Sequence, residues 1–235
     1  MLIEVCVDSA AGLAEAVAGG ADRIELCAAL ELGGLTPAAG LMAHAAACGV
    51  PVFAMIRPRA GNFVFDSTER AIMCADIHAA RDAGLAGVVL GANLPDGRLD
   101  VAVLSHLVMA AKGMGLTLHR AFDLVPDLAK AVECATLLGF HRILTSGRAQ
   151  TAAQGEGDLA RTIAFARGRI SVMPGAGIGP ASAPLLRRLA VTEAHGSFAA
   201  PHPQSGPVVD LGFAPAVLRH TDAARIRALR AALAD

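Results

Sequence analysis

The chain has 235 residues, 54% of them hydrophobic and 17% charged, more apolar and less charged than average soluble domains at ~45–50% and ~25%, which excludes a disordered chain. Twenty basic and 21 acidic side chains leave a formal charge of −1, so no positive field gathers nucleic acid or an anionic membrane surface. The length suits one α/β barrel of about 250 residues, and one domain over 1–235 is expected.

The N-terminus, Met1-Leu2-Ile3-Glu4, lacks the basic start of a signal peptide, so a cytoplasmic protein is expected. Five cysteines with no Cys-x-x-Cys pair fit a reducing compartment rather than a disulfide framework. Leu32 to Ile56 carries no formal charge, yet Pro37, Pro51, four glycines and His44 interrupt it. It reads as loop, helix, turn and strand rather than a membrane span.

Short β-branched runs alternate with Ala/Leu-rich stretches along the chain. Strands are expected at Leu2–Val7, Arg23–Cys27, Val52–Arg57, Gly87–Gly91, Leu116–Arg120, Arg142–Ser146, Ile170–Pro174 and Thr192–Gly196. Eight units of roughly 29 residues match the βαβ repeat of about 30. They predict the α/β class and a single (β/α)8 TIM barrel of parallel strands. Helices are expected to start at Asp8-Ser9, Thr36-Pro37, Ser67-Thr68-Glu69 and Gly179-Pro180. The Pro-rich segment at about 198–218 is expected to be an irregular loop.

Ile3-Glu4-Val5-Cys6 recurs as Ile24-Glu25-Leu26-Cys27. Strand alternation puts each Glu/Cys pair on one face, and because carboxylates cannot face the apolar helix layer, that face points into the barrel near its mouth. Neighbouring strands lie about 4.8 Å apart, bringing Cys6 and Cys27 within reach of each other. Two soft thiolates, with Met55 as a possible thioether third, suit copper as Cu(I); two small core residues are the other reading. Cys48, Cys74 and Cys134 fall in helical stretches, and no histidine pair has the spacing of an ordinary zinc site.

Barrel chemistry sits at the C-terminal strand ends. There the glycine-rich turns with Ser146, Gly147, Gly175 and Gly177 offer N–H groups to an anion, with Arg57 and Arg120 as bidentate charge. If the chain is an enzyme acting on a small anionic, phosphorylated metabolite, Glu4, Glu25 and His119 are its acid and base groups, with Glu193 and His195 nearby. The competing reading is an interior ion-pair network in which Arg23 and Arg57 neutralise Glu4 and Glu25. Eight Phe with no Trp or Tyr argue against a partner-binding module. The apolar helices are compatible with a homo-oligomer.

Several strings together resemble the CutC family. They are Glu4-Val5-Cys6-Val7-Asp8-Ser9, Gly19 through Cys27, Gly33-Gly34-Leu35-Thr36-Pro37, Met55-Ile56-Arg57-Pro58-Arg59, His119-Arg120-Ala121-Phe122-Asp123, Leu144-Thr145-Ser146-Gly147 and Val172-Met173-Pro174-Gly175. The resemblance spans Met1 to about Ser197. It implies a cytosolic TIM barrel with a role in copper homeostasis, and Cu(I) binding by Cys6 and Cys27. Two places depart from the family pattern: Gly175-Ala176-Gly177-Ile178 replaces Gly-Gly-Gly-Ile, and Ser197-Phe198-Ala199 replaces Ser-Ala-Arg, with loss of a basic residue.

Overall fold

The computed structural model describes residues 1–234. Eight parallel strands, β1 (Leu2–Val7), β2 (Arg23–Leu26), β3 (Val52–Met55), β4 (Gly87–Leu90), β5 (Gly115–Leu118), β6 (Arg142–Thr145), β7 (Ser171–Pro174) and β8 (Glu193–Gly196), form one sheet. The ladder runs from β8 through β1 and on in order to β7. β7 and β8 then face each other across the seam and nearly close a (β/α)8 barrel. The connecting helices are α1 (Ala10–Ala18), α2 (Ala39–Ala45), α3 (Ser67–Asp82), α4 (Val101–Ala110), α5 (Leu128–Leu137), α6 (Glu156–Ala166) and α7 (Ala183–Arg188).

All eight expected strands are present, most of them ending one or two residues early. Those final residues leave the ladder to begin the turns that carry the mouth. His119, for example, caps the 3-10 turn over Arg120–Leu124 with Nδ1. Two helix starts differ from expectation. Thr36 does not cap α2; its hydroxyl accepts the Arg57 N–H at 2.9 Å, and α2 begins at Ala39. α3 is capped by Asp66, one residue before Ser67, in a reciprocal box with Glu69.

The segment at 198–218 is not an irregular loop. β9 (Ala199–Pro203) and β10 (Val217–Thr221) pair antiparallel, with a single helical turn, α8 (Pro207–Asp210), between them. A two-stranded ribbon consists only of edges, so Pro201 and Pro203 fit without breaking a central ladder. The chain then enters α9 (Ala223–Ala234), which buries Ile226 and Leu229 and supplies the eighth helix, packed on α1 and α7. No helix among the described residues is long and apolar enough to cross a membrane.

Strand alternation separates two interiors. Ile3, Val5, Val7, Ile24 and Leu26 point outward into the core beneath the helices. Glu4, Cys6, Arg23 and Glu25 point inward and are buried. Across the barrel, Phe53 lies under Arg23 and Arg142, whose guanidinium carbons stand 5.5 and 4.9 Å from its ring centre. The ring fits because β4 and β5 carry glycine beside it: a Cβ on Gly87 or Gly115 would stand 2.2 or 2.5 Å from ring atoms. Gly87→Ala is therefore expected to destabilise the fold by about 1–3 kcal/mol through overpacking, seen as an earlier denaturation midpoint in urea.

Candidate functional site

The lower layer of the barrel is an ion-pair network. Arg23 donates to Glu4 through Nε and to Glu193 through Nη2, and Arg142 Nε lies 3.3 Å from Glu193. Of the interior network expected from the sequence, the Arg23–Glu4 pair is present, whereas neither Arg57 nor Glu25 takes part in an arginine–glutamate pair. Arg23 neutralises Glu4 and Glu193, whereas Arg57 pairs with neither glutamate. It donates instead to the carbonyls of Leu32, Gly34 and Gly61 at 2.9–3.1 Å and stacks over Phe63 at 4.9 Å. A guanidinium held this way fixes the loop after β2 against the loop after β3, with its donating Nη groups turned to backbone.

Above that layer sits His195 of β8, in register with Glu4 of β1. Its Nδ1 is 2.8 Å from Glu4 Oε1 and its Nε2 is 3.7 Å from Glu25 Oε2. Burial alone would discharge the imidazole, but Glu25, Cys6 and Glu4 outweigh it and raise the pKa well above the ordinary histidine range. Burial would likewise raise Glu4, yet His195 and Arg23 overcome it and hold Glu4 at about 2. Glu25 has no arginine contact, and burial lifts it to about 7 despite His195. The two strand-repeat glutamates thus differ in charge near neutral pH because one meets two cations and the other meets one.

Cys6 Sγ, Glu25 and His195 bring one sulfur, one oxygen and one nitrogen donor within 4.8 Å of one another, all buried. These three residues lie on the floor of a cavity of about 580 Å³ at the C-terminal end of the barrel, which Met55 also lines. Burial pushes both thiols up, Cys27 further than Cys6. Cys27 is placed differently from its partner in the repeat. It is fully buried, donates to Glu25 Oε2 at 3.6 Å, and lies beneath Gly34, where a Cβ would stand 3.0 Å from its sulfur. The thiol that reaches the cavity is Cys6; Cys27 stands behind Glu25.

His119 also lines the cavity. Burial and the nearby Arg57 push its pKa down to about 3, so the ring is neutral at physiological pH. Nδ1 accepts the Ala121 N–H at 3.1 Å, which leaves the proton on Nε2, a buried atom with no protein partner. His119 is thus a fixed N–H donor rather than a group that exchanges a proton near pH 7.

The glycine-rich turns divide. After β6, the chain's own Asp123 carboxylate fills the anion cradle, accepting the N–H groups of Ser146 and Arg148 at 3.2 and 3.1 Å, the Thr145 hydroxyl and Arg120 Nε at 2.7 Å. Gly147 N–H is spent on Thr145 Oγ1 at 2.9 Å. Ser146 therefore faces an internal anion with Arg120 as its counter-charge, and Gly147 does not bond to it. After β7, Gly175 donates to the Thr145 carbonyl, while Gly177 lines the cavity.

Sequence reasoning did not assign His195 as the neighbour of Cys6. The signal was present in the inward parity of Glu193 and His195 on a strand beside β1. Arg219 of β10 and Arg225 of α9, which also line the cavity, lay in or after the segment read as loop.

Comparison with known proteins places the chain among related barrels. The model of the CutC family matches residues 1–200. A CutC family protein of Sinorhizobium medicae is 58% identical, covering 99% of this chain and 96% of the relative, and one of Caulobacter vibrioides is 52% identical, covering 98% of each. Among solved structures, that of a CutC from Streptococcus agalactiae, described as a candidate copper homeostasis protein, superposes with a TM-score of 0.80 at 31% identity, covering 84% of this chain and 98% of that one.

Proposed function

The chain belongs to the CutC family, and on that footing we propose that the floor of its barrel mouth takes up one copper ion as Cu(I), in the cytoplasm, as part of copper homeostasis. The ion is cargo rather than a resident cofactor. The observation that carries this reading is the convergence of Cys6 Sγ, a His195 ring nitrogen and a Glu25 oxygen within 4.8 Å at the base of an open cavity. A thiolate and an imidazole are donors that Cu(I) accepts, and the Met55 thioether on the same wall adds a further soft group. Glu25 ties Cys27 to this cluster, since its carboxylate accepts from the Cys27 thiol at 3.6 Å and lies 3.7 Å from His195 Nε2. Cys27 is the second sulfur, one step behind the first. Five cysteines with no Cys-x-x-Cys pair suit a reducing compartment.

The test is an anaerobic Cu(I) titration against a competing chelator. Wild type is expected to bind one ion. Cys6→Ser is expected to weaken binding by at least about a hundredfold, because a direct ligand matters more than the outer groups whose loss costs 10–100-fold. Cys27→Ser should weaken it less. Equal affinity of wild type and Cys6→Ser would remove this site from copper handling.

A further inference from the structure

The cavity is far larger than one ion requires, and its wall opposite Met55 and Arg57 has a different chemistry. That wall is built from the turns after β7 and β8, including Gly177 and Ser197, together with Arg219 and Arg225. Both arginines lie beyond the residues matched by the family model. Arg219 comes from the second strand of the hairpin and Arg225 from the first turn of α9.

Their guanidiniums converge. Arg219 Nη2 and Arg225 Nη1 donate to the same carbonyl oxygen, that of Ala199, at 3.0 and 2.9 Å, so the two nitrogens lie within about 6 Å of each other. Each makes no other side-chain hydrogen bond, and neither meets a carboxylate among the described residues. Both arginines are exposed at the rim of the cavity, where water screens their mutual repulsion, and every N–H of the two forks beyond the shared pair stays free to bind an anion that bridges them. The backbone N–H groups of Gly177 and Ser197, on the same wall, donate to no acceptor among the described residues. A second observation is independent of the arginines: His119 Nε2–H on the cavity wall is buried without a partner, and a buried donor of that kind wants an acceptor from a ligand.

We propose that Arg219 and Arg225, with the turns after β7 and β8, form a binding site for a small phosphomonoester, its phosphate between the two guanidiniums and its body in the cavity toward His119 Nε2–H. The phosphate matches the paired charge, since a dianion neutralises two guanidiniums. The volume matches the body, being within the range of small-molecule pockets. This site does not rest on the copper reading; it uses other residues on the other wall of the same cavity.

The probes are glycerol 3-phosphate, inorganic phosphate and glycerol, titrated calorimetrically into metal-free full-length protein at low ionic strength. Saturable binding of glycerol 3-phosphate is expected, tighter than that of inorganic phosphate, with none for glycerol. Arg219→Gln and Arg225→Gln are each expected to weaken it about tenfold, as for loss of one charge-assisted contact, and the double variant to abolish it. Arg161→Gln, on an exposed face of α6, should leave it unchanged. Because Arg219 also ties β10 to β9 and Arg225 ties α9 to β9, the double lysine variant provides a second arm. It keeps both charges and should bind more tightly than the double glutamine variant. No saturable binding by wild type, or equal binding by the glutamine and lysine pairs, would overturn the site. Inorganic phosphate binding as tightly as the ester would overturn the placement of an organic body in the cavity. Cu(I) uptake by the double glutamine variant is expected to equal that of wild type, so failure of either reading is seen separately.

Discussion

Arg23→Met is expected to lower stability by about 3–5 kcal/mol, the largest effect of any single replacement in the barrel interior. The guanidinium holds Glu4 and Glu193 together in a layer where Glu4 is fully buried. Removing it leaves Glu4 with His195 as its remaining charged partner and Glu193 with Arg142 alone. Methionine fills much of the same volume, so the loss measures the charge and its hydrogen bonds rather than a cavity. Adding Glu4→Gln to Arg23→Met is expected to restore part of the stability, because the stranded carboxylate is then gone; urea unfolding of the two variants makes the comparison. The same contact gives a signature in acid. Glu4 is depressed from 4.5 to about 2, so its contribution is complete above about pH 4.5 and is lost as pH falls toward about 2. Glu25 has the opposite sign. Its pKa is raised to about 7, so the stability linked to its proton is complete below about pH 4.5 and is lost as pH rises through about 7.

The second large effect is on metal affinity. A Cu(I) ion on Cys6 and His195 must displace the thiol proton, which burial holds on the sulfur, and the imidazole proton, which Glu25, Cys6 and Glu4 hold against the effect of burial. Each displaced proton makes affinity rise tenfold per pH unit, so a slope of about two decades per unit is expected between pH 6 and 7. Glu25, still protonated in part over that window, steepens it. Chelator competition at three pH values, corrected for protonation of the chelator, reads the slope. An affinity that does not change with pH would mean that neither group is a ligand.

The fold was legible because each strand is a short apolar run between glycine and capping signals, and because eight of them repeat at a βα interval. The inward face of β1 and β2 was legible for a sharper reason: carboxylate and thiol at i and i+2 leave only one side of the strand for burial in polar company. What alternation does not supply is which inward residues of distant strands share a layer. Glu4 meets His195 because β1 lies beside β8 in register, a pairing across 191 residues that exists only after the barrel closes. The repeat suggested equal roles for Cys6 and Cys27, but Cys27 lies past the end of β2, where the chain turns beneath Gly34.

The late turns carry the same lesson. The Ser146-Gly147 turn has the composition of an anion cradle, and the N–H groups of Ser146 and Arg148 form one; its anion is Asp123, brought there by the 3-10 turn after β5. At Ala199, where the family pattern has a basic residue, the carbonyl accepts from Arg219 of β10 and Arg225 of α9. Proline content hid that hairpin, since a ribbon of two edge strands tolerates residues that a central strand rejects.

The most direct test of copper binding at the barrel floor is the copper-edge X-ray absorption fine structure of the Cu(I)-loaded protein, wild type beside Cys6→Ser. The expected wild-type spectrum contains a sulfur shell and an imidazole nitrogen shell on one copper, and the sulfur shell weakens or disappears in Cys6→Ser. A wild-type spectrum with no sulfur shell, or one that Cys6→Ser leaves unchanged, would contradict copper binding at this site.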